Sequence, residues 1–267
     1  MRLLSLFFLL IACANPTPKS ENVVASKPPV QEPQVEVKSV SNTPITGFTL
    51  EYVMGKFDPA KHPDFTKIPT AYADEAGRYL RKDALEAFIQ MYESAKKEGI
   101  NLKIRSATRN FDYQKGIWER KWTGATKVSG KDLSITIPNP VERARKILEY
   151  SSMPGTSRHH WGTDIDLNNF ENAYFESGQG LKEYEWLQAN ASTYGFCQVY
   201  SEKGPNRKEG YNLEKWHWSY LPVAKELTAF AERQLTNKDI SGFLGAETAS
   251  EIRVVEKYVL GINPACK

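Results

Sequence analysis

Ser157-Arg158-His159-His160-Trp161-Gly162-Thr163-Asp164-Ile165-Asp166 sets an arginine, two histidines and two aspartates close together. From Thr163 to Asn168 polar and apolar residues alternate, so the spacing predicts a half-buried strand over 163–168. On such a strand Asp164 and Asp166 share a face. A turn around Gly162 would bring His159 back towards the Asp166 end. The chain has four histidines. Three of them fall here and in a second dense segment, Glu214-Lys215-Trp216-His217-Trp218. Zinc accepts imidazole nitrogen and carboxylate oxygen, and its catalytic sites use three protein ligands plus one open position. His159, Asp166 and His217 form such a set. By pattern alone the same residues also read as satisfied polar side chains, caps or turns, and both readings stand at this point.

Outward from this stretch, helices and short strands interleave. Leu85, Phe88, Ile89 and Tyr92 recur at helical spacing over 82–98, and Gly99 follows where a helix C-cap wants it. A short strand is predicted over 102–106, a helix over 112–122, a polar loop over 123–134 and a helix opened by Pro140 and running to Tyr150. Further on come a helix over 181–194, strands over 196–200 and 216–220, and helices over 223–235 and 246–260. No strand-helix-strand rhythm repeats. The pattern therefore predicts an α+β fold, one compact domain with a small antiparallel sheet flanked by helices.

The first residues are set aside from the fold. Arg2 is a positive start, and Leu3 to Ile11 form an apolar run broken only by Ser5, the length of a signal-peptide core and too short to span a bilayer. The run ends in Leu10-Ile11-Ala12-Cys13, which resembles a bacterial lipobox, with Cys13 the acylated residue; an ordinary signal peptide with a chance cysteine is the other reading. Residues 1–12 are thus read as a signal peptide and 13–45 as a lipidated linker. Pro16, Pro18, Pro28, Pro29 and Pro33 stiffen that linker, and Asn15 to Val40 has no aromatic residue to build a core. Residues 46–267 form the folded domain. The expectation is an exported protein held on a bacterial membrane by its lipid.

A net charge of +3, scattered along the chain, gives no basic patch of the kind that binds nucleic acid. Of three cysteines, lipidation of Cys13 leaves Cys197 and Cys266. They read as a disulfide in an oxidising compartment or as two separate thiols.

The two dense segments carry a resemblance. Ser157-x-His159-x-x-Gly162-x-Asp164-x-Asp166 resembles the SxHxxGxAxD signature of the VanY-type D-alanyl-D-alanine carboxypeptidases, zinc enzymes grouped with lysostaphin-type peptidases and the Hedgehog signalling domain. Glu214-x-Trp216-His217 resembles their ExWH signature, and Ser106-Ala107-Thr108-Arg109-Asn110-Phe111-Asp112-Tyr113-Gln114 looks like their GYRSxxxQ segment. The resemblance covers about residues 78 to 220. It implies a zinc-dependent enzyme of the cell wall that trims D-alanine from peptidoglycan stem peptides. It makes His159, Asp166 and His217 the zinc ligands and Glu214 the general base and acid. Arg109 becomes a contact to the substrate carboxylate or the developing oxyanion, with Gln114 and Ser157 as supporting, substrate-binding residues. Rival readings are an L,D-carboxypeptidase or endopeptidase on the same stem peptides, and a non-catalytic wall-binding lipoprotein. Against the last stands Glu214, since binding alone needs no base.

Two departures from the family pattern stand out. Asp164 replaces the usual alanine, as a partner orienting a ligand histidine or as an influence on substrate preference. Ser106-Ala107-Thr108 replaces the usual residues before the arginine. His160 reads as a possible substrate contact, and Trp161, Trp216 and Trp218 as core or as substrate wall.

Overall fold

The computed structural model describes residues 47–267; the expected signal peptide, Cys13 and the proline-rich segment expected to be a linker lie outside the described residues. The first helix, α1 (Leu50–Val53), starts at Thr49, whose hydroxyl accepts from the Tyr52 amide. Two short strands follow, β1 (Phe65–Lys67) and β2 (Tyr79–Arg81), paired antiparallel. The next helix, α2 (Lys82–Lys97), buries Leu85 and Phe88 of the expected stripe together with Met91 and Ala95, whereas Ile89 and Tyr92 are only partly buried at its edge. It stops before Gly99, whose φ of +75° suits a residue without a Cβ.

Strand β3 (Ile104–Ser106) leads to α3 (Phe111–Trp122), capped by the Asn110 side chain accepting from the Tyr113 amide. A one-turn helix, α4 (Leu133–Thr136), sits at the end of the polar stretch 123–134. Pro140 occupies the first turn of α5 (Pro140–Ile147), where its missing N–H costs nothing. Strand β4 (Asp164–Leu167), α6 (Gly178–Asn190), β5 (Phe196–Cys197) and β6 (His217–Tyr220) come next, then α7 (Leu221–Gln234) and α8 (Ala249–Ile252).

The main sheet has strand order β3-β4-β6-β5, every neighbour antiparallel. This is the α+β arrangement the sequence predicts. One correction concerns β4: all four of its residues are buried. It is a central strand, with Ile165 and Leu167 in the hydrophobic core and Asp164 and Asp166 buried among other polar groups. Each buried side chain of the size of Phe88 or Leu167 stabilises the fold by about 1.5–3 kcal/mol.

Two further elements differ from the sequence expectation. The strand predicted over 196–200 is a ladder only at Phe196–Cys197. Beyond it, the Val199 and Tyr200 carbonyls accept from Asn263 and Glu214 amides instead of from a neighbouring strand. The helix predicted over 246–260 is broken, because Arg253 adopts a φ of +60° between α8 and a π-turn at Val255–Val259. Among the described residues no helix is long and apolar enough to cross a membrane.

The Cys197 and Cys266 sulfurs are bonded, which resolves the two cysteine readings in favour of the disulfide. Asn263 reinforces the tie, its amide donating to Val199 O at 2.8 Å and its side chain to Gln198 O at 3.1 Å.

Candidate active site

Asp166 and His217 face each other directly across the β4–β6 ladder. His159 arrives from a 3₁₀ turn, Arg158–Trp161, that ends at Gly162 with φ +70°. A Cβ at Gly162 would lie 2.3 Å from the Phe65 ring and 2.9 Å from Arg81 Cγ, so the turn closes only around glycine. Buried Arg81 braces it: its guanidinium donates to the Tyr52 hydroxyl at 2.9 Å, and that hydroxyl donates to Trp161 O at 2.9 Å.

The tautomers follow from the partners. His159 Nδ1 lies 2.8 Å from Ala107 O, which can only accept, so the proton sits on Nδ1 and Nε2 offers a lone pair. His217 Nε2 lies 2.8 Å from the Asp164 carboxylate, so Nδ1 carries its free lone pair. These two nitrogens stand 3.2 Å from Asp166 Oδ2 and 3.2 Å from Asp166 Oδ1. The distances are those of ion pairs, yet His159 Nε2 and Asp166 Oδ1 have no hydrogen-bond partner and are buried. With the His159 proton on the far nitrogen, nothing on the His159–Asp166 line can donate, and on the His217–Asp166 line only a second proton on the His217 ring could. The donor atoms of His159, Asp166 and His217 fall within 4.8 Å of one another. Converging lone pairs without a proton between them fit a cation, and two imidazoles with one carboxylate suit a borderline metal such as zinc.

The electrostatics agree. Burial pushes the His159 pKa down, with the Arg109 charge adding to it, so its imidazole is neutral as a ligand must be. Burial opposes ionisation of Asp166, but both histidines outweigh it and hold the carboxyl well below the ordinary range. For His217 burial opposes the charge, whereas hydrogen bonds to Asp164, Asp166 and Glu214 outweigh that and raise its pKa well above the ordinary value. A second proton on His217 and a metal ion thus compete for the same lone pair.

Asp164 serves as the orienting partner for His217. Its charge is met by Arg158, whose Nε donates at 3.1 Å, while Ser219 and Thr163 hydroxyls donate to its other oxygen at 2.8 and 2.5 Å. Arg158 is itself fixed by Thr228, Ser219 and the Trp161 face, 4.4 Å away. Arg158 carries no distinguishing signal in the sequence beyond its place beside His159.

Glu214 Oε2 lies 3.3 Å from His217 Nδ1. A turn bond from the His217 amide to Glu214 O at 3.3 Å and one from the Glu214 amide to Tyr200 O at 2.9 Å hold it there. Burial raises its pKa, and His217 counteracts only part of the shift. Arg109 Nη1 donates to Ser106 Oγ at 2.7 Å and stands 3.5 Å from Asp166 Oδ2.

His159, Asp166, His217, Glu214 and Arg109 open on one cleft of about 660 Å³, while Asp164 and Arg158 lie behind its wall. Gln114 lines it, anchored through Nε2 to Ser152 O at 2.8 Å, with its Oε1 unpartnered. Trp216 is wall, whereas Trp161 and Trp218 are core. Ser157 is buried, and its side chain forms no part of the cleft wall. Nor does His160 touch the cleft: its Nδ1 donates to Arg109 O at 2.6 Å and its Nε2 accepts from the Gly155 amide at 3.0 Å, which makes it a buried tie between two loops. The substrate-contact reading of His160 is thereby replaced. The sequence reading missed Tyr200, Tyr211 and Lys121, which also line the cleft. Lys121 alone carried a signal, since it follows Gln114 by two helical turns.

A buried His-Asp-His cluster with a carboxylate at its flank, opening on a cleft beside an antiparallel sheet, joins a donor set that fits a metal ion to a group able to move a proton. The family model VanY: D-alanyl-D-alanine carboxypeptidase matches residues 77–223, and the chain belongs to that family. The Bacillus subtilis protein YodJ is 32% identical over 149 residues, 54% of this chain and 47% of that protein. A D-alanyl-D-alanine carboxypeptidase of Enterococcus faecalis is 24% identical over 168 residues, 58% of this chain and 55% of that protein. The chain thus spans about half the length of these curated relatives. Among solved structures it is similar to the LdcB LD-carboxypeptidase (24% identity, TM-score 0.48, 76% of this chain and 81% of that one). It is also similar to VanYB in complex with D-alanine-D-alanine (20% identity, TM-score 0.45, 66% and 87%).

Proposed function

We propose that this chain is a zinc-dependent D-alanyl-D-alanine carboxypeptidase that removes the terminal D-alanine from peptidoglycan stem peptides. The observation that carries the reading is the convergence of ligand atoms from His159, Asp166 and His217 within 4.8 Å of one another, all three residues buried, in a chain of the VanY family. Zinc held by these three residues would acidify water and polarise the scissile carbonyl.

The chain's own groups do the rest. Glu214, its carboxyl made more basic by burial, takes a proton from the attacking water and returns it to the leaving amine nitrogen. Arg109, beside Asp166, faces the negative charge that develops on the carbonyl oxygen. Asp164 keeps the His217 ring turned with Nδ1 inward. The leader ending at Cys13 supports placing the enzyme in the cell envelope, on a lipid anchor.

The test pairs metal analysis with mass spectrometry of a digested stem pentapeptide. About one zinc per chain, lost on replacing His159, Asp166 or His217 by alanine, and a product shorter by a single D-alanine are expected. Unchanged metal content in all three variants would remove the ligand assignment. Release of any fragment other than the terminal D-alanine would instead identify an L,D-carboxypeptidase or an endopeptidase.

A further inference from the structure

Three side-chain cations line the cleft, Arg109, Lys121 and Lys127. Arg109 is committed at the metal end, between Ser106 and Asp166. Lys127 is exposed to solvent. Lys121 differs from both. It is partly buried, its ammonium donates to the Ser151 hydroxyl, and among the described residues no carboxylate lies within ion-pair distance of it. Burial, and then the charge of Arg109, push its pKa down, and the Glu214 carboxylate, beyond ion-pair distance, offsets only part of this. A desolvated ammonium with a single neutral partner is costly. If its only task were to tie α3 to Ser151, a neutral donor would perform it without that cost.

The position says what the charge is for. Gln114, Ile117 and Lys121 recur at helical spacing along one face of α3, and all three line the cleft. In a carboxypeptidase the terminal carboxylate lies one residue beyond the scissile bond, and Lys121 is near enough to the metal end to share the cleft with Arg109 and Glu214 and to feel the charge of both. An ammonium with two of its three donor positions open suits a carboxylate there.

We propose that Lys121 anchors the free terminal carboxylate of the substrate, an inference that rests on the carboxypeptidase reading above. Arg109 is then left to the reacting carbonyl, and recognition of the chain end and stabilisation of the transition state fall to two different cations. Lys121 is a specificity determinant in this scheme.

The experiment uses the full zinc-loaded chain and two stem pentapeptides, one ending in free D-alanine and one in its amide. The unaltered protein should prefer the free acid. Lys121→Met should lose about 10- to 100-fold in kcat/KM on the free acid, mostly through KM, as expected for a lost charged hydrogen bond. It should lose almost nothing on the amide, so that the two substrates converge. Lys121→Arg, which keeps the charge, should retain part of the preference. Zinc content equal to that of the unaltered protein establishes that the variants are folded at the site. A preference retained in full by Lys121→Met, or equal losses on both peptides, overturns the role of Lys121 and leaves the carboxypeptidase reading standing. Indifference of the unaltered protein to the amide, or failure to cleave either peptide, overturns that reading and this inference with it.

Discussion

Glu214 is pulled in two directions, since burial favours its neutral form and the His217 ring favours its charged form. The net upward shift suits a group that must release the proton it takes. Its base form appears as pH rises through that raised pKa, so activity should fall on the acid side at a pH above the ordinary carboxylate range. Glu214→Gln should keep fold and zinc and lower turnover by roughly 10²–10⁴, measured on the stem pentapeptide with metal content determined in parallel. Near-normal turnover in a zinc-loaded variant would assign the proton to another group.

What could be seen in the sequence at this scale was residue type at the right spacing. His159, Asp166, His217 and Glu214 stand out because histidine is scarce and the carboxylates flank it. Ser157 shares the same signature but only its backbone is used there, its carbonyl accepting from the His160 amide. Arg158 was not legible, because its meaning lies in the buried carboxylate of Asp164 that only the fold sets beside it. Lys121 was legible only as a residue two helical turns after Gln114, and its want of a carboxylate partner is created by the fold.

The Cys197–Cys266 bond belongs to the scale of elements. It closes a separation of 69 residues and fastens the tail beside the segment that carries Gln198 and Tyr200. Gln198 donates to Glu214 O at 3.1 Å and the Tyr200 carbonyl accepts from the Glu214 amide at 2.9 Å. The tail is therefore connected to Glu214, the proposed general base, by two short steps. Cys266→Ser should cost roughly 4 kcal/mol of stability in the chain-entropy account, read from denaturant midpoints, and should reduce turnover more than zinc content. A midpoint unchanged from that of the unaltered protein would remove the bond's structural role.

Helices α2, α3 and α7 were legible in outline, because a long amphipathic period survives small errors of phase. The pairing of β1 with β2 was not, since strands of three residues have no periodicity to read. The break at Arg253 was hidden as well. The left-handed conformation there is chosen by packing on either side, not by an intrinsic preference of arginine.

For the molecule as a whole, attachment to a membrane through Cys13 is a proposal separate from the chemistry of the folded domain. The sequence up to Cys13 argues for lipidation, and Cys13→Ser should abolish acylation and release the protein from membranes, assayed by fractionation and mass spectrometry of the N-terminal peptide. A variant retained on the membrane would require a different attachment.

The direct opposition of Asp166 and His217 across β4 and β6 reaches beyond catalysis. A slip of one residue between these strands would turn one of the two ligands to the opposite face of the sheet. An ion bound at this triad therefore distinguishes the native register from its neighbours, because only the native one presents all three donors together. At a free concentration a hundredfold above its dissociation constant it would favour that register by about 2.7 kcal/mol. In this protein the metal would act as a proofreader of strand alignment as well as a reagent.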